Sequence, residues 1–364
     1  MKLGMLLFML IPIVGHIYVF WHVWNIVPLH NWLKIILLVL LSLGFISLLV
    51  GFGAGLDKMP MPLATGVYEI GTSSVFVLLY AVMLFLLLDM GRLAHLVPKH
   101  FVYNSLLGTF TVLGVLLAVF VYGNIHYNNK VRQELHLNTS KHLDKPLKVV
   151  MISDLHLGYH NRRAEFARWV GLINAERPDL VLIAGDIIDI SVRPLLEENI
   201  AEEFRRIKVP IYACLGNHEY YSGDANAEKF YRDANINLLR DSVVQVMDLN
   251  LVGRDDRTNG RRASLKTLMG KVDPSKYTIL LDHQPYHLEE AQRAGVDFQF
   301  SGHTHYGQVW PTSWIEDAIY EDAYGPLTKG NTRYYVTSGI GIWGGKFRIG
   351  TRSEYVVATI SKSF

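Results

Sequence analysis

The sequence contains a single cysteine, Cys214, among its 364 residues. An intramolecular disulfide is therefore excluded, and at most one thiolate is available to bind a metal ion. Cys214 ends an apolar run shortly before Gly216, so we expect a small buried residue rather than a ligand. Exported domains can also lack disulfides, so the cysteine count leaves the cellular compartment open.

Strong charge of one sign is also absent. The 35 Lys and Arg residues are nearly balanced by 33 Asp and Glu residues, which leaves a formal net charge of +2. The sequence has no basic tract with interleaved aromatic residues, and we therefore expect no nucleic acid as the main partner. Internal repeats, heptad series and low-complexity tracts do not stand out either.

Hydrophobic residues, in contrast, make up 50% of the chain and are concentrated in its first third. Four apolar segments of about 20 residues each are long enough to cross a hydrocarbon core of about 30 Å. Trp and Tyr residues lie near the ends of these segments, as is typical of membrane interfaces. The sequence therefore predicts an all-α transmembrane region of four helices over residues 1–123: Leu3 to Trp24, Ile35 to Leu56, Val67 to Leu88 and Val102 to Tyr122.

The first apolar segment has a second interpretation, a signal peptide. Its apolar run is too long for that, aromatic residues crowd its end, and no small-residue cleavage site follows, so we interpret it as a retained helix. Four spans place both termini on one side of the membrane. The basic residues near the spans favour the cytoplasm for that side, by four to three. They are Lys2, Lys58, Lys130 and Arg132 on the terminal side and Lys34, Arg92 and Lys99 on the other.

From residue 148 onward the apolar runs are shorter, and several end in a polar motif. The stretches "KVVMISDLH", "DLVLIAGD" and "VPIYACLGNHE" are typical of strands, and amphipathic helical segments separate them. Further strands are expected near residues 250–253, 277–282, 298–301, 334–338 and 355–360. We predict an α/β fold, a four-layer αββα sandwich over residues 148–364, which a linker over residues 124–147 joins to the membrane region.

Eight residues that can bind metal ions or move protons follow these strands. Because ligands bind at the edge where the strands of open α/β sheets end, we expect the eight side chains to converge. Asp154 and His156 are separated by one residue, as are His303 and His305, and this spacing turns both members of a pair to the same side. The candidates are Asp154, His156, Asp186, Asn217, His218, His283, His303 and His305.

Seven of these residues offer a nitrogen or oxygen ligand before His218 is considered. Seven ligands are too many for one tetrahedral zinc ion, and they suit two divalent ions a few Å apart that share a carboxylate. Ligands of this kind without sulfur fit manganese, iron or zinc, and we expect manganese or iron first. Two such ions make a bridging water acidic and neutralise phosphate oxygens during in-line displacement.

The same motifs resemble those of the calcineurin-like metallophosphoesterase superfamily. The matching stretches are "SDLHLG", "AGDIID", "LGNHE", "LLDHQP" and "SGHTHYGQ". The longer stretches "GVDFQFSGHTHYGQVWP" and "SGIGIWGGKFRIGTRSEY" are similar to the branch of membrane-associated bacterial phosphoesterases. The resemblance covers about residues 148–360 and leaves the four spans unexplained. It departs from that branch at Tyr306, where many members carry glycine.

The resemblance also implies a role for each candidate residue. One metal ion would be held by Asp154, His156 and His305. The other would be held by Asn217, His283 and His303, and Asp186 would bridge the two ions. His218 would not bind metal; it would face the substrate phosphate and stabilise the transition state or protonate the leaving oxygen.

The resulting prediction is a membrane-anchored dinuclear-metal phosphoesterase that hydrolyses a phosphomonoester or a phosphodiester, with a phosphodiesterase preferred. Tethering to a bilayer favours a phospholipid or a lipid-linked nucleotide as substrate, and a soluble phosphoester stays open. The alternative function is a membrane sensor whose metallophosphoesterase-like domain binds without turnover. A binding module has no need of the non-ligand His218, which argues against that alternative.

Two further features have two interpretations each. Asp189 either orients a ligand histidine from behind or caps a local turn. The polar stretch from Gly253 to Gly270 either grips a second phosphate or an anionic headgroup, or is a solvated loop. Its basic residues are Arg254, Arg257, Arg261, Arg262 and Lys266.

Overall fold

The structure, a computed structural model, describes residues 3–363, without the side chains of residues 3–10, 52 and 54. It separates into two compact units. The first is Met1–Ile125 with Gly344–Lys346, and the second is His126–Trp343 with Phe347–Phe364.

Long helices dominate the N-terminal part of the chain, as its apolar composition predicts. The helices are α1 Leu3–Ile26, α2 Asn31–Val50, α3 Met61–Leu93, α4 Lys99–Val102 and α5 Leu106–Asn128. Pro62 lies in the first turn of α3, where its missing N–H group leaves no bond unmade. The chain leaves α3 through His95, which has a positive φ of 58°, and Pro98 precedes α4.

Within the described residues, three helices are long and apolar enough to cross a membrane, namely α2, α3 and α5. They contain most of the second, third and fourth predicted spans. The first predicted span, Leu3 to Trp24, lies in α1, and eight of its side chains are outside the described set, so this first span stays a prediction.

Polar side chains tie α1 to α3. The Tyr18 hydroxyl donates a hydrogen bond of 2.7 Å to Asp89 Oδ2, and His22 Nε2 lies 3.1 Å from the same oxygen. The His22 ring is buried and stacks on Phe85, with ring centroids 4.5 Å apart. These contacts give Tyr18, His22 and Asp89 partners within the protein, as polar residues at membrane depth require.

Two six-stranded sheets form the C-terminal unit, and this confirms the predicted α/β fold with two sheets. The first sheet has the order β1-β12-β2-β3-β4-β5 and the second has the order β10-β11-β9-β8-β7-β6. The strands of the first sheet are β1 Lys130–Thr139, β2 Leu147–Ile152, β3 Leu180–Ala184, β4 Ile211–Cys214, β5 Asn237–Leu238 and β12 Ser353–Lys362. Those of the second are β6 Ser242–Val246, β7 Leu249–Gly253, β8 Tyr277–Leu281, β9 Phe298–Ser301, β10 Gly325–Lys329 and β11 Thr332–Val336.

Helices cover both outer faces of this pair of sheets. Strand β2 shows why, because Val149 and Met151 belong to the core between the sheets, whereas Val150 and Ile152 pack with helical residues on the outside. The alternation follows from the two-residue period of a strand. The helices of the C-terminal unit are α6 Arg163–Ala175, α7 Arg193–Glu197, α8 Ile200–Phe204, α9 Asn217–Tyr221, α10 Asp224–Asp233, α11 Leu265–Met269, α12 Leu288–Ala294 and α13 Ser313–Ile319.

Part of the predicted linker, residues 124–147, is a strand. Residues 130–139 form β1, which pairs in parallel with β12 over its whole length. Leu135, Leu137 and Thr139 are buried, and exposed polar residues alternate with them. The exposed polar residues of this segment give it the composition of a linker. The alternation of buried and exposed residues with a period of two is, however, typical of an edge strand.

The core on the helical side of the first sheet makes a specific stability prediction. Phe166 on α6 is fully buried, and its ring centroid lies 4.3 Å from that of Phe204 on α8. We expect Phe166→Ala to lower the free energy of unfolding of the C-terminal unit by about 3 to 5 kcal/mol, because it leaves a cavity. Urea unfolding of the full chain in mild detergent measures this.

The matched control is Arg168→Ala on the exposed face of the same helix, with an expected change within about 0.5 kcal/mol. Equal changes for the two variants would contradict the assignment of this core.

Candidate metal centre

The candidate residues lie just beyond the C-terminal ends of five strands. Strands β2, β3 and β4 of the first sheet lead to Asp154 and His156, to Asp186, and to Asn217, while β8 and β9 of the second sheet lead to His283 and to His303 and His305. Of the eight candidates, five are buried, and His218, His303 and His305 are partly exposed. Both sheets therefore contribute side chains to one place, as the sequence predicts.

One group consists of Asp154, His156 and His305. The Nε2 atoms of the two histidines are 3.0 Å apart. Asp154 Oδ1 lies 3.8 Å from Nε2 of His156 and 3.6 Å from Nε2 of His305. Three donor atoms from two separate loops, those after β2 and β9, thus face a common point.

The second group consists of Asp186, His283 and His303, with Asn217 beside them. One ligand atom from each of the first three lies within 4.8 Å of the others. His283 Nε2 is 3.1 Å from Asp186 Oδ2 and 3.2 Å from Asn217 Oδ1. Asp186 Oδ2 is also 3.7 Å from His156 Nε2, so this one oxygen touches both groups.

These distances are those expected around metal ions. Two atoms that each lie about 2.1 Å from one ion are separated by about 3.0 to 3.4 Å in octahedral or tetrahedral coordination. Three separations in the two groups, 3.0, 3.1 and 3.2 Å, fall in this range, and the two that involve Asp154 Oδ1 are longer, at 3.6 and 3.8 Å. The donor set is nitrogen and oxygen only, since Cys214 is buried in the core between the sheets. The residues therefore fit two divalent cations.

Contacts behind the imidazoles fix which ring nitrogen faces the site. His283 Nδ1 donates a hydrogen bond of 2.7 Å to the Ala184 carbonyl, and His156 Nδ1 lies 3.3 Å from Asp189 Oδ1. In both rings the proton sits on Nδ1, which leaves the Nε2 lone pair for a ligand bond. This geometry favours the interpretation of Asp189 as an orienting carboxylate.

The charges of the cluster compensate one another. Burial raises the pKa of the Asp186 carboxyl, but the neighbouring His283 and His218 outweigh burial and hold that pKa well below its usual range. Burial lowers the pKa of His156, whereas its hydrogen bonds with Asp154 and Asp189 raise it further, to about 10. Clusters of this kind hold protons until cations replace them.

The backbone at the site is in an uncommon conformation. Positive φ angles occur at Asp154 (56°), His156 (44°), Asp186 (51°), His303 (73°) and His305 (49°). Residues other than glycine rarely adopt a positive φ, and they keep this backbone conformation only when the surrounding structure enforces it. Five of the seven predicted ligands therefore carry backbone strain, as is typical of functional sites.

Two motif glycines leave room for the carboxylates. A Cβ atom on Gly216 would lie 2.1 Å from Asp186 Oδ1, and one on Gly302 would lie 2.2 Å from Asp154 Oδ2. No side chain fits at such distances. The glycines before Asn217 and His303 are thus required by the close approach of strand ends from different parts of the chain.

His218 lies beside the two ligand groups and belongs to neither of them. Its backbone N–H donates a hydrogen bond of 3.0 Å to Asp186 Oδ1, and its Nδ1 donates one of 3.0 Å to the Asp189 carbonyl. The ring centroid is 4.5 Å from that of His156. The side chain is 12% exposed, whereas His156 and His283 are fully buried.

Two supporting residues are absent from the sequence prediction. Buried Glu219 accepts hydrogen bonds from the backbone N–H groups of Gly216, Asp186 and Ile188, at 2.7, 3.1 and 3.0 Å. Buried Arg348 donates hydrogen bonds to carbonyl groups of His305 (2.6 Å) and Gly341 (3.0 Å). Glu219 lies in the quoted "LGNHE" motif and Arg348 in "SGIGIWGGKFRIGTRSEY", so position within those motifs was the available signal.

Two of the five basic residues after Gly253 form ion pairs inside the protein. Arg254 Nη1 lies 2.8 Å from Glu290 and 3.3 Å from Asp282, and Arg262 Nη1 lies 2.9 Å from Asp282. These two guanidinium groups pair with buried or half-buried carboxylates. Arg257 differs, because its guanidinium lies 4.0 Å over the ring of Tyr286.

Tyr306, the departure from the related sequences, lies between the site and the surface. Its φ of 47° lies in the left-handed region that favours glycine. The ring stacks on Tyr324 with centroids 5.0 Å apart, and the hydroxyl lies 3.4 Å from Asp317 Oδ2. His303 and His305, which precede it in the chain, each belong to one of the two groups.

Comparisons with known proteins indicate the family of this domain. Residues 147–307 match the family model described as calcineurin-like phosphoesterase. An uncharacterized metallophosphoesterase of Campylobacter jejuni is 29% identical over 268 residues, which cover 71% of each chain. One of Helicobacter pylori is 31% identical over 58% of this chain and 59% of its own.

A third relative combines the domain with a membrane region. It is the Danio rerio "transmembrane protein with metallophosphoesterase domain", which is 31% identical over 57% of this chain and 52% of its own length. This chain therefore corresponds to about half of that protein. The motifs, the two-sheet fold and the matched family model agree, and residues 147–307 of this chain form a calcineurin-like phosphoesterase domain.

Proposed function

We propose that this chain is a membrane-anchored phosphoesterase that uses two divalent cations to hydrolyse a phosphoester, with a phosphodiester preferred. The observation that carries the proposal is the position of Asp186, whose Oδ2 atom lies 3.1 Å from His283 Nε2 and 3.7 Å from His156 Nε2. A carboxylate shared by two donor groups suits a pair of neighbouring ions.

The proposed ligand set follows the two groups. One ion is assigned to Asp154, His156 and His305, the other to Asn217, His283 and His303, and Asp186 is assigned to both. Manganese, iron and zinc all accept nitrogen and oxygen ligands of this kind, and manganese or iron is expected first. When bound, the ions supply charge neutralisation for the phosphate and an acidic water molecule.

The chain's own residues supply positioning and a proton. Asp189 holds the rings of His156 and His218 through their Nδ1 atoms, and Glu219 fixes the backbone between Asp186 and Ile188. Because Nδ1 of His218 donates to the Asp189 carbonyl, Nε2 is the nitrogen left to interact with substrate. We assign His218 the stabilisation or protonation of the leaving oxygen.

Membrane tethering supports a substrate at the bilayer surface, such as a phospholipid or a lipid-linked nucleotide. The α2, α3 and α5 helices are long and apolar enough to span a membrane, and the Danio rerio relative carries the word transmembrane in its name. The alternative function is a sensor that binds without turnover. It does not explain His218, which is partly exposed beside the site and belongs to neither of the two ligand groups.

Removal of metal tests the hydrolytic function directly. We expect the purified full chain to hydrolyse bis-p-nitrophenyl phosphate, to lose this activity after treatment with a chelator and to regain it with manganese, iron or zinc. Activity that survives complete removal of metal, as measured by elemental analysis, would contradict the proposal.

A pair of substitutions separates binding from catalysis. His218→Ala is expected to keep its metal content and to lower turnover by about 100- to 10,000-fold, the usual range for a lost acid or base. Asp186→Asn is expected to lose metal as well as activity. Elemental analysis and turnover are measured on the same preparations.

The matched control for His218 is His136→Ala, because the His136 side chain is 68% exposed on β1. It is expected to keep both metal and turnover. Loss of metal in His218→Ala would show that His218 is a ligand.

We also propose on which side of the membrane the C-terminal domain lies. The excess of basic residues on the terminal side favours a cytoplasmic C-terminal domain. We expect a C-terminal fusion to a fluorescent protein that folds only in the cytoplasm to be bright, and a fusion to an alkaline phosphatase that needs export to be inactive. The reverse pattern would place the domain on the opposite side.

A further inference from the structure

Four large apolar side chains near α13 are exposed to solvent. Trp310, Trp314, Ile315 and Ile319 have 41%, 64%, 58% and 53% of their surface exposed. Trp314, Ile315 and Ile319 lie on α13, where residues four apart share one face, and the rings of Trp310 and Trp314 are in contact at 5.2 Å between centroids. We refer to these four residues as the apolar patch.

This clustering is unusual for the C-terminal unit. Among its described residues, the other large apolar side chains with comparable exposure are Leu196, Tyr221 and Met247, which are far apart in the sequence. Single exposed apolar residues are normal on protein surfaces, whereas a group that includes two tryptophans marks a contact with another apolar phase or partner.

The apolar patch is attached firmly to the metal centre. The Thr312 hydroxyl donates to the carbonyl groups of Gly307 and Val309, and the first of these lies two residues after His305. The Tyr306 hydroxyl lies 3.4 Å from Asp317 on α13. Patch and site are thus carried by one short, internally bonded segment, residues 305–319.

The chemistry of the patch selects among possible partners. Tryptophan is favoured where water meets hydrocarbon, because its ring is apolar and its N–H group is polar. The carboxylates on α13 are Glu316 and Asp317, and the helix has no Lys or Arg, so attraction to anionic lipid headgroups does not drive the contact. Apolar burial drives it instead.

The chain itself supplies the partner. Its apolar helices α2, α3 and α5 anchor it to a bilayer, which keeps a lipid surface at high effective concentration around the tethered domain. We infer that the apolar patch docks in the interfacial layer of that bilayer. The inference does not depend on hydrolysis. Its extension, that the site thereby meets a phosphoester resident in the membrane, rests on the proposed function.

Lipid-borne quenchers test the docking on the full chain in phosphatidylcholine vesicles. The single native cysteine is buried, so Trp314→Cys and Ile319→Cys each introduce one accessible thiol for an environment-sensitive fluorophore. We expect doxyl-labelled lipids to quench the fluorophore at both positions at least twofold more than at the matched control, Met247→Cys, which is 45% exposed in the native protein. The unsubstituted protein serves as the labelling blank.

Two results would overturn the inference. Quenching at residues 314 and 319 equal to that at residue 247 would mean that the patch stays in water. Weak lipid quenching, with protection from aqueous iodide that grows with the protein-to-lipid ratio, would mean that a second copy covers the patch. Two labelled positions guard against a variant that fails to fold, and circular dichroism checks each preparation. A chain that docks but shows no phosphoesterase activity would refute the proposed function alone.

Discussion

The burial of the Asp186 carboxylate is the constraint on which the rest of the structure depends. Only 1% of this residue is exposed, and an ionised carboxylate at such depth requires partners for both oxygens. One oxygen accepts the backbone N–H of His218, and the other faces two imidazoles. Each of these partners arrives on a different strand end, so the position of one side chain requires both sheets to be in register.

The core between the sheets provides that register. Val149, Met151 and Leu182 from the first sheet pack with Leu251, Ile279 and Phe300 from the second. Interiors of this density resist sliding, because a shift of one residue would turn every apolar side chain outward. The site therefore acquires its rigidity from apolar packing that contains none of the metal-binding residues. The left-handed backbone at the ligands is held by hydrogen bonds, such as those from the N–H groups of Asp154 and His156 to the carbonyl groups of Gly185 and Asp186.

Much of the fold and of the site could be predicted from sequence because the signals are local. Five apolar strands are each followed directly by a predicted ligand, so the strand and the motif support the same prediction. Pairs separated by one residue, such as His303 and His305, also predict that both side chains point to the same side. The supporting roles of Glu219 and Arg348 could not be predicted, because these side chains form hydrogen bonds with backbone groups of loops that are distant in the sequence. Such bonds produce no periodic pattern in the sequence. Strand β1 was missed for a related reason: its outer face is polar, and its partner lies over 200 residues away.

That distant partner has a consequence for how the protein is made. Strand β12 lies between β1 and β2 and pairs with both, yet it follows every other strand in the chain. Strand β1 begins two residues after α5 ends and is therefore synthesised early. Its backbone hydrogen-bonding groups have no partner strand while the intervening residues are translated. Membrane insertion and completion of the two-sheet unit are therefore separated in time, and the nascent domain needs shielding of these open edges until its final strand is translated.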